Sequence, residues 1–471
     1  MTRLQELEKK YPGVPREFIL KWDVLNRGVR DSEDLDKVSE FQQFHFSYQS
    51  YDHDVTLKEL VEKRPEKRLK GGRVLRPVAF NTKNGFGADL RISTRSPYEV
   101  RDIGDGRFAL FEGEEEVDVD IYFPPPEPSG EEEALTTSKG TPISRLIERV
   151  GARLAIFPQS VCEYFPTGDQ SKFCNFNATQ EDSRAAGAVR PVAESLEEIV
   201  EAYKILSSKF TVNRVGLEVG NFARGTEERL QVEFLDTIAK AASYKPNFKI
   251  YTSALPRKSL ERLKDVGVDC ISIQMEVWDR NLFAEIVPGK AKRMPHEGWL
   301  EAIVNAVDIF GPGNVGVKVI SGLTLIPENG HKTWQEAVAS HIEGNRWLIK
   351  NGAFPNSSHL RLPPGSVYGA VPSLREKLPP TEYYLEMAQA HHADMMESRF
   401  FERNLPEERL YVYATNLAGA VYLGELTIWA LAGNPDHWMA GVVQAQMNRV
   451  ARFVPAVESR AQATTGGQSD C

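Results

Sequence analysis

Hydrophobic positions near the N-terminus recur at helical spacing. In FILKWDVLNRGV, Phe18, Ile19, Trp22, Val24 and Leu25 fall at such intervals, Pro15 precedes them, and Gly28 is placed to stop the helix. From about Arg73 to Phe123 the period shortens. The runs VLRPVAF, GADLRIST, RFALFEG and VDVDIYF are β-rich, and turns NGFG and IGDG separate them, which predicts a small antiparallel sheet. The run Glu114–Glu116 reads as a solvated hairpin turn. The segment FPPPEPSGEEEALTTSKGTP, residues 123–142, reads as a linker, stiffened by prolines and solvated by glutamates. After it the rhythm becomes strand–helix. Strands are expected at RLAIFPQS (153–160), NRVGLEVGN (213–221), NFKIYTSA (247–254), DCISIQMEV (269–277), GNVGVKVISGL (313–323) and SSHLRLPPGS (357–366), with a helical run after each of the first five.

Repeated units of this kind predict a parallel sheet with right-handed crossovers. The fold class expected is α/β: a partial (β/α)6 TIM-like barrel, with an N-terminal helical/β extension and a C-terminal helical region. The boundaries expected are 1–122 for the extension, 123–142 for the linker, 143–375 for the barrel, 376–457 for a helical cap and 458–471 for a disordered tail. Functional groups should then gather at the C-terminal ends of the strands.

Composition narrows the class. The chain has 471 residues, 41% hydrophobic and 26% charged, which is globular usage. With 57 Lys+Arg against 66 Asp+Glu the net charge is −9, which argues against a nucleic-acid partner. No apolar run is long enough to predict a membrane span, and MTRLQELEKKYPG lacks the apolar core of a secretory signal. Four cysteines do not make a disulfide framework. The expectation is a soluble cytoplasmic protein whose clustered cysteines are candidates for metal binding or catalysis.

The informative segment is Cys162-Glu-Tyr-Phe-Pro-Thr-Gly-Asp-Gln-Ser171-Lys-Phe-Cys174, directly after the first barrel strand. Soft thiolates suit iron–sulfur clusters and zinc. The bland reading is two unrelated loop cysteines, but a loop at the C-terminal end of strand one is where a barrel site belongs. The segment resembles the radical S-adenosylmethionine (radical SAM) superfamily, in which the loop after the first strand of a partial barrel carries three cysteines ending Cys-x-aromatic-Cys. Here Phe173 supplies the aromatic, and Ser171 stands where the middle cysteine would be.

Further segments resemble the biotin synthase/HydE-like branch, and the resemblance covers about residues 150–370. Gly216-Leu217-Glu218-Val219-Gly220-Asn221 is similar to the turn that holds the SAM amino group, with Glu218 and Asn221 alternatives for that role and Gly220 beside them. CISIQMEVWD resembles the fourth strand, where Glu276 matches the residue that reaches the SAM ribose. VKVISGLTLIPENG resembles the fifth, with Gly322 as the close-approach glycine, and LRLPPGS the sixth, with the Pro364-Gly365 turn near the adenine. The resemblance implies a [4Fe–4S] cluster held by Cys162 and Cys174 with Ser171 at the third position, and SAM cleaved reductively to a 5′-deoxyadenosyl radical. It also implies a small-molecule substrate and a low-potential electron donor such as flavodoxin or ferredoxin.

Serine is a harder and poorer iron ligand than a thiolate. Three explanations stand: a substitution at a true ligand position; a site of two thiolates plus an oxygen ligand such as Ser171 or Asp169; or a barrel that has lost the cluster and serves as a non-catalytic scaffold. A zinc-dependent barrel hydrolase is a further rival, with only Glu163 and Asp169 near Cys162 to serve it. Elsewhere, Cys270 reads as a small buried residue and Cys471 as a tail residue without a role. His391, His392 and Asp394 read as a solvated helix surface, and His296 and His331 as cap or loop residues. Arg280 or Lys318 could pair with the SAM carboxylate. The aromatic stretch 41–53 reads as packing.

Overall fold

The computed structural model describes residues 2–38, 62, 77, 79–123, 134–150, 153–156, 162–178, 196–210, 212, 214–218, 226–242, 247–404 and 424–432. Three helices open the chain: α1 (Arg3–Lys10), α2 (Arg16–Arg27) and α3 (Glu33–Val38). A capping box between Thr2 and Gln5 starts α1, and Gly28, at φ 75°, ends α2. The β-rich stretch forms two three-stranded antiparallel sheets rather than the single sheet expected. One is β1 (Ala79–Thr82), β2 (Gly87–Asp89) and β6 (Ile121–Tyr122); the other is β3 (Tyr98–Gly104), β4 (Arg107–Glu112) and β5 (Glu115–Glu116). The hairpin at Ile103–Gly106 and the exposed Glu114–Glu116 segment lie where the turn residues place them.

The main sheet has seven strands in sequential order. It begins with a hairpin, β7 (Ile147–Val150) antiparallel to β8 (Arg153–Ile156). Five further strands continue parallel to β8: β9 (Arg214–Glu218), β10 (Asn247–Thr252), β11 (Val268–Glu276), β12 (Val315–Ser321) and β13 (Phe354–His359). The crossovers carry α4 (Leu196–Lys209), α5 (Thr226–Ala241) and α6 (Arg257–Asp265). Between β11 and β12 run α7 (Arg280–Ile286), α8 (Pro288–Arg293) and α9 (His296–Phe310); α10 (Trp334–Lys350) precedes β13. This is a mixed α/β fold with six consecutive parallel strands, the arrangement of a partial TIM-like barrel.

Two strand expectations are corrected. The antiparallel β7 was not expected. The sixth parallel strand is Phe354–His359, upstream of the LRLPPGS segment. Pro363 and Pro364 have no N–H to donate to a ladder, whereas Pro355 is tolerated because β13 is an edge strand.

The helices α11 (Thr381–Glu397), α12 (Phe400–Asn404) and α13 (Glu425–Ala432) follow. One hydrophobic core lies between the main sheet and its helices. A second joins α1, α2 and the small sheets to α11, through residues such as Phe18, Trp22, Phe86, Tyr383 and Tyr384. Trp22 stacks on Tyr384 with centroids 5.1 Å apart, and the buried Asp23 accepts from Tyr98 at 2.5 Å and Thr381 at 2.6 Å. The N-terminal layer is thereby fixed to α11, close to the C-terminal end of β13, where His359 stacks on the same Tyr384 at 4.7 Å. No helix among the described residues is long and apolar enough to cross a membrane.

Candidate functional site

The cysteine loop, residues 162–178, follows β8 and is folded by tight turns. The Asp169 N–H donates to the Tyr164 carbonyl at 2.8 Å and the Cys174 N–H to the Ser171 carbonyl at 2.9 Å. Its seat is the α7–α8 segment beyond β11. Lys172 donates its N–H to the Ile286 carbonyl at 2.9 Å, Gly289 donates to the Asp169 carbonyl at 2.9 Å, and Lys292 pairs with the Asp169 carboxylate at 2.7 Å. A Cβ at Gly289 would lie 2.5 Å from Cγ of Tyr164, so only glycine lets helix and loop approach this closely. On the other side, the Tyr368 N–H donates to the Lys172 carbonyl at 2.9 Å. A Cβ at Gly365, at φ 85°, would lie 2.3 Å from Cβ of Ala178. The Pro364-Gly365 turn therefore packs against the end of the cysteine loop.

Cys162 is buried and Cys174 partly buried. Burial pushes the free Cys174 thiol up to about 12; the Phe176 N–H opposes this, Cys162 and Glu276 reinforce it, and Lys290 opposes it. Besides burial, Cys162, a buried carboxylate and a buried ammonium therefore bear on the Cys174 thiol. Burial likewise raises the Tyr164 phenol to about 12, against the opposing charge of Arg293.

Glu276 closes β11 in a left-handed conformation, φ 73°. The β11–β12 register slips between Gln274 and Glu276, so the strand bulges there and re-aims the side chain. Its Oε1 lies 3.4 Å from Nζ of Lys290, while Oε2 is buried without a hydrogen-bond partner among the described residues. Glu276 and Gly322 line the same cleft, with Trp278, Thr324 and His341. Gly322 sits at φ 85° against Pro379. Phe173 packs on the main core. Glu218 ends β9, and Gly220 and Asn221 lie outside the described residues, as do the aromatic stretch 41–53 and Cys471. Cys270 is buried in β11.

Several cations and histidines differ from expectation. Arg280 is 71% exposed and pairs with Glu297 at 2.6 Å, so it serves the helix surface and not the site. His391 is not solvated: it is 2% exposed, edge-on to Phe354, and its ring nitrogens have no hydrogen-bond partner among the described residues. Only His392, bonded to Thr427 at 3.3 Å, and Asp394, paired with Arg346 at 3.0 Å, face outward in part. His296 contacts the Trp278 carbonyl, and His331 contacts Thr324 and Asp279. Sequence reasoning missed Lys290 and the buried pair Arg293–Glu227, 2.9 Å apart. Glu227 also accepts from Thr252 and the Ser253 N–H at the end of β10, tying α8 to the strand ends. Lys290 and Arg293 lie in VPGKAKRMP, which resembles the helix after the fourth strand of the biotin synthase/HydE-like branch, and Glu227 lies in TEERLQV; no hydrophobic period singles out any of the three.

No family model matches the chain. Over 138 residues it is 30% identical to bacteriochlorophyllide c C-7(1)-hydroxylase of Chlorobaculum limnaeum; the match covers 29% of this chain and 30% of that protein. The match thus spans less than a third of that curated relative's length. Similar solved structures include methylornithine synthase (PylB), with TM-score 0.38 and 15% identity over 52% of this chain and 64% of that one. Another is coproporphyrinogen III oxidase (HemN) from Escherichia coli, with TM-score 0.34 and 12% identity over 54% of each chain. HemN is a radical SAM enzyme.

Proposed function

We propose that this chain is a radical SAM enzyme, with Cys162 and Cys174 as cluster ligands and Glu276 and Gly322 at the SAM site. The observation that carries the reading is the seat of the cysteine loop on α8, the helix whose Lys290 also meets the buried Glu276 carboxylate at the end of β11, where a parallel-strand site is expected. The donor chemistry fits a cluster at two positions. Both cysteines are soft donors on one loop, and a buried thiol that stays protonated at neutral pH yields a thiolate when a cation binds. Ser171 offers a hydroxyl at the third position. What the cluster supplies when bound is one electron to SAM, which splits into methionine and a 5′-deoxyadenosyl radical that takes hydrogen from substrate carbon.

The protein's share is orientation and exclusion of water. Oε2 of Glu276 accepts a ligand hydroxyl or ammonium, Gly322 lines the same cleft with its Cβ side closed by Pro379, and Phe173 and the Pro364-Gly365 turn shape the wall. Glu218, at the end of β9, is the described candidate for the SAM amino group; the alternatives Gly220 and Asn221 lie outside the described residues. The substrate is a small molecule, and the curated relative is named as a bacteriochlorophyllide c hydroxylase. A flavodoxin- or ferredoxin-like donor supplies the electron, and the location is cytoplasmic.

The second reading is a scaffold without a cluster. It is favoured by one fact: Ser171, a poor iron ligand, stands at the third ligand position. Anaerobic reconstitution of the unaltered protein and Ser171→Cys separates the readings. A third thiolate is expected to raise iron retention and visible thiolate-to-iron absorbance, with 5′-deoxyadenosine formed from SAM. Equal iron and equal SAM cleavage in both proteins would make Ser171 or Asp169 a working ligand. No iron in either would leave the scaffold.

A further inference from the structure

We propose that Lys290 is the positioning residue for Glu276: it fixes the strained bulge and occupies Oε1, so that Oε2 is presented to SAM. The inference rests on the functional reading above, but its basis is local geometry. A left-handed φ of 73° is rarely adopted by a residue with a side chain like that of glutamate, and it persists only where neighbours over-determine it. Lys290 is that neighbour. Its Nζ donates to the Gln274 carbonyl on one side of the bulge and meets the Glu276 carboxylate at 3.4 Å on the other. The ammonium lies 5.6 Å from the centroid of the Trp299 ring, and the side chain is 2% exposed. A lysine this deep is rarely found without a partner, and here it has a carbonyl, a carboxylate and an aromatic face.

The same short helix also seats the cysteine loop, through Gly289 and Lys292 on Asp169. Lys290 therefore ties Glu276 to the helix that seats the cysteine loop. A cation there also offsets the negative charge that two thiolates and Glu276 would gather in a buried site.

The test compares full-length unaltered protein, Lys290→Met, Glu276→Gln and the double variant. After anaerobic reconstitution, SAM binding is measured by equilibrium dialysis. Lys290→Met is expected to weaken SAM binding about 10- to 100-fold, the usual scale for loss of an outer-shell partner. In the Glu276→Gln background the same change should cost less than about 2-fold, because Lys290 acts through Glu276. Independent, multiplicative losses would overturn the proposal. Thermal midpoints of the four ligand-free proteins give the second readout. The midpoint lost in Lys290→Met should largely return on adding Glu276→Gln, since no buried charge is then unpaired. If Lys290→Met alone does not fold, recovery of a folded double variant supports the pairing, and failure to recover overturns it. If the unaltered protein binds no SAM, the functional reading fails; the thermal cycle still decides whether Lys290 holds Glu276.

Discussion

Replacing His391 with leucine should make the protein more acid-resistant. His391 sits on α11 in a dry site, edge-on to Phe354 at 6.1 Å, with both ring nitrogens without a hydrogen-bond partner among the described residues. Burial, reinforced by the charge of His392, lowers its pKa from 6.5 to about 4. His341 on α10, bonded to Ser357 at 2.8 Å, is lowered by burial and by His391 to about 3. The folded state thus keeps His391 neutral where the unfolded chain takes up a proton. Its contribution is intact above pH 6.5 and is lost as pH falls from there towards 4. At pH 5 the difference is roughly 2 kcal/mol, rising to about 3 kcal/mol below pH 4. Leucine is close in volume to histidine and removes an unsatisfied N–H, so His391→Leu should match the unaltered protein within about 1.5 kcal/mol at pH 7.5. Urea unfolding at pH 7.5 and 5.0 measures both. The unaltered protein should lose roughly 2 kcal/mol more than the variant over that interval. Parallel losses would refute a buried neutral ring at position 391.

Two changes probe the seat of the cysteine loop. Gly289→Ala places a methyl 2.5 Å from Tyr164 and 2.6 Å from the Asp169 carbonyl, so the loop must move. It should cost about 1–3 kcal/mol by thermal unfolding and lower iron retention after reconstitution, and unchanged retention would separate the seat from the ligands. Arg293→Met leaves Glu227, 2% exposed at its side chain, without its cation; about 3–5 kcal/mol should be lost, and Glu227→Gln in the same chain should restore much of it.

How much of this was legible in the sequence differs by element. Strands β9 to β12 carry apolar runs bounded by turn residues, and they lie within a few residues of their expected ends. The sixth strand was misplaced because PNSSH reads as a loop; only its edge position admits Pro355. His391 was misread for a different reason. Helix α11 buries Tyr383, Tyr384, Leu385, Met387, Ala388, His391 and Met395, which do not fall on one stripe. It is packed on α2 and on α10 together, and burial on two sides erases the period that a half-exposed helix would show. The cysteine loop was legible through its residue types, whereas the charges that surround it were not, because β10, β11, α5 and α8 converge only in three dimensions.

Helix α8 shows how few residues that convergence needs. Its length is six residues, less than two turns, too short to form on propensity alone. Pro288 fixes the first helical position, where a missing N–H costs nothing. Gly289, Lys292 and Arg293 stand three or four positions apart and share one side of the helix. Gly289 and Lys292 meet the cysteine loop, and Arg293 reaches Glu227. Lys290 is turned about 100° from Gly289, towards the bulge of β11. One short helix thus ties the cysteine loop to the Glu276 carboxylate, and shifting it by one residue would break four contacts together. A helix this small cannot adjust one contact without disturbing the others, so substitutions along it should couple strongly, whichever functional group each one touches.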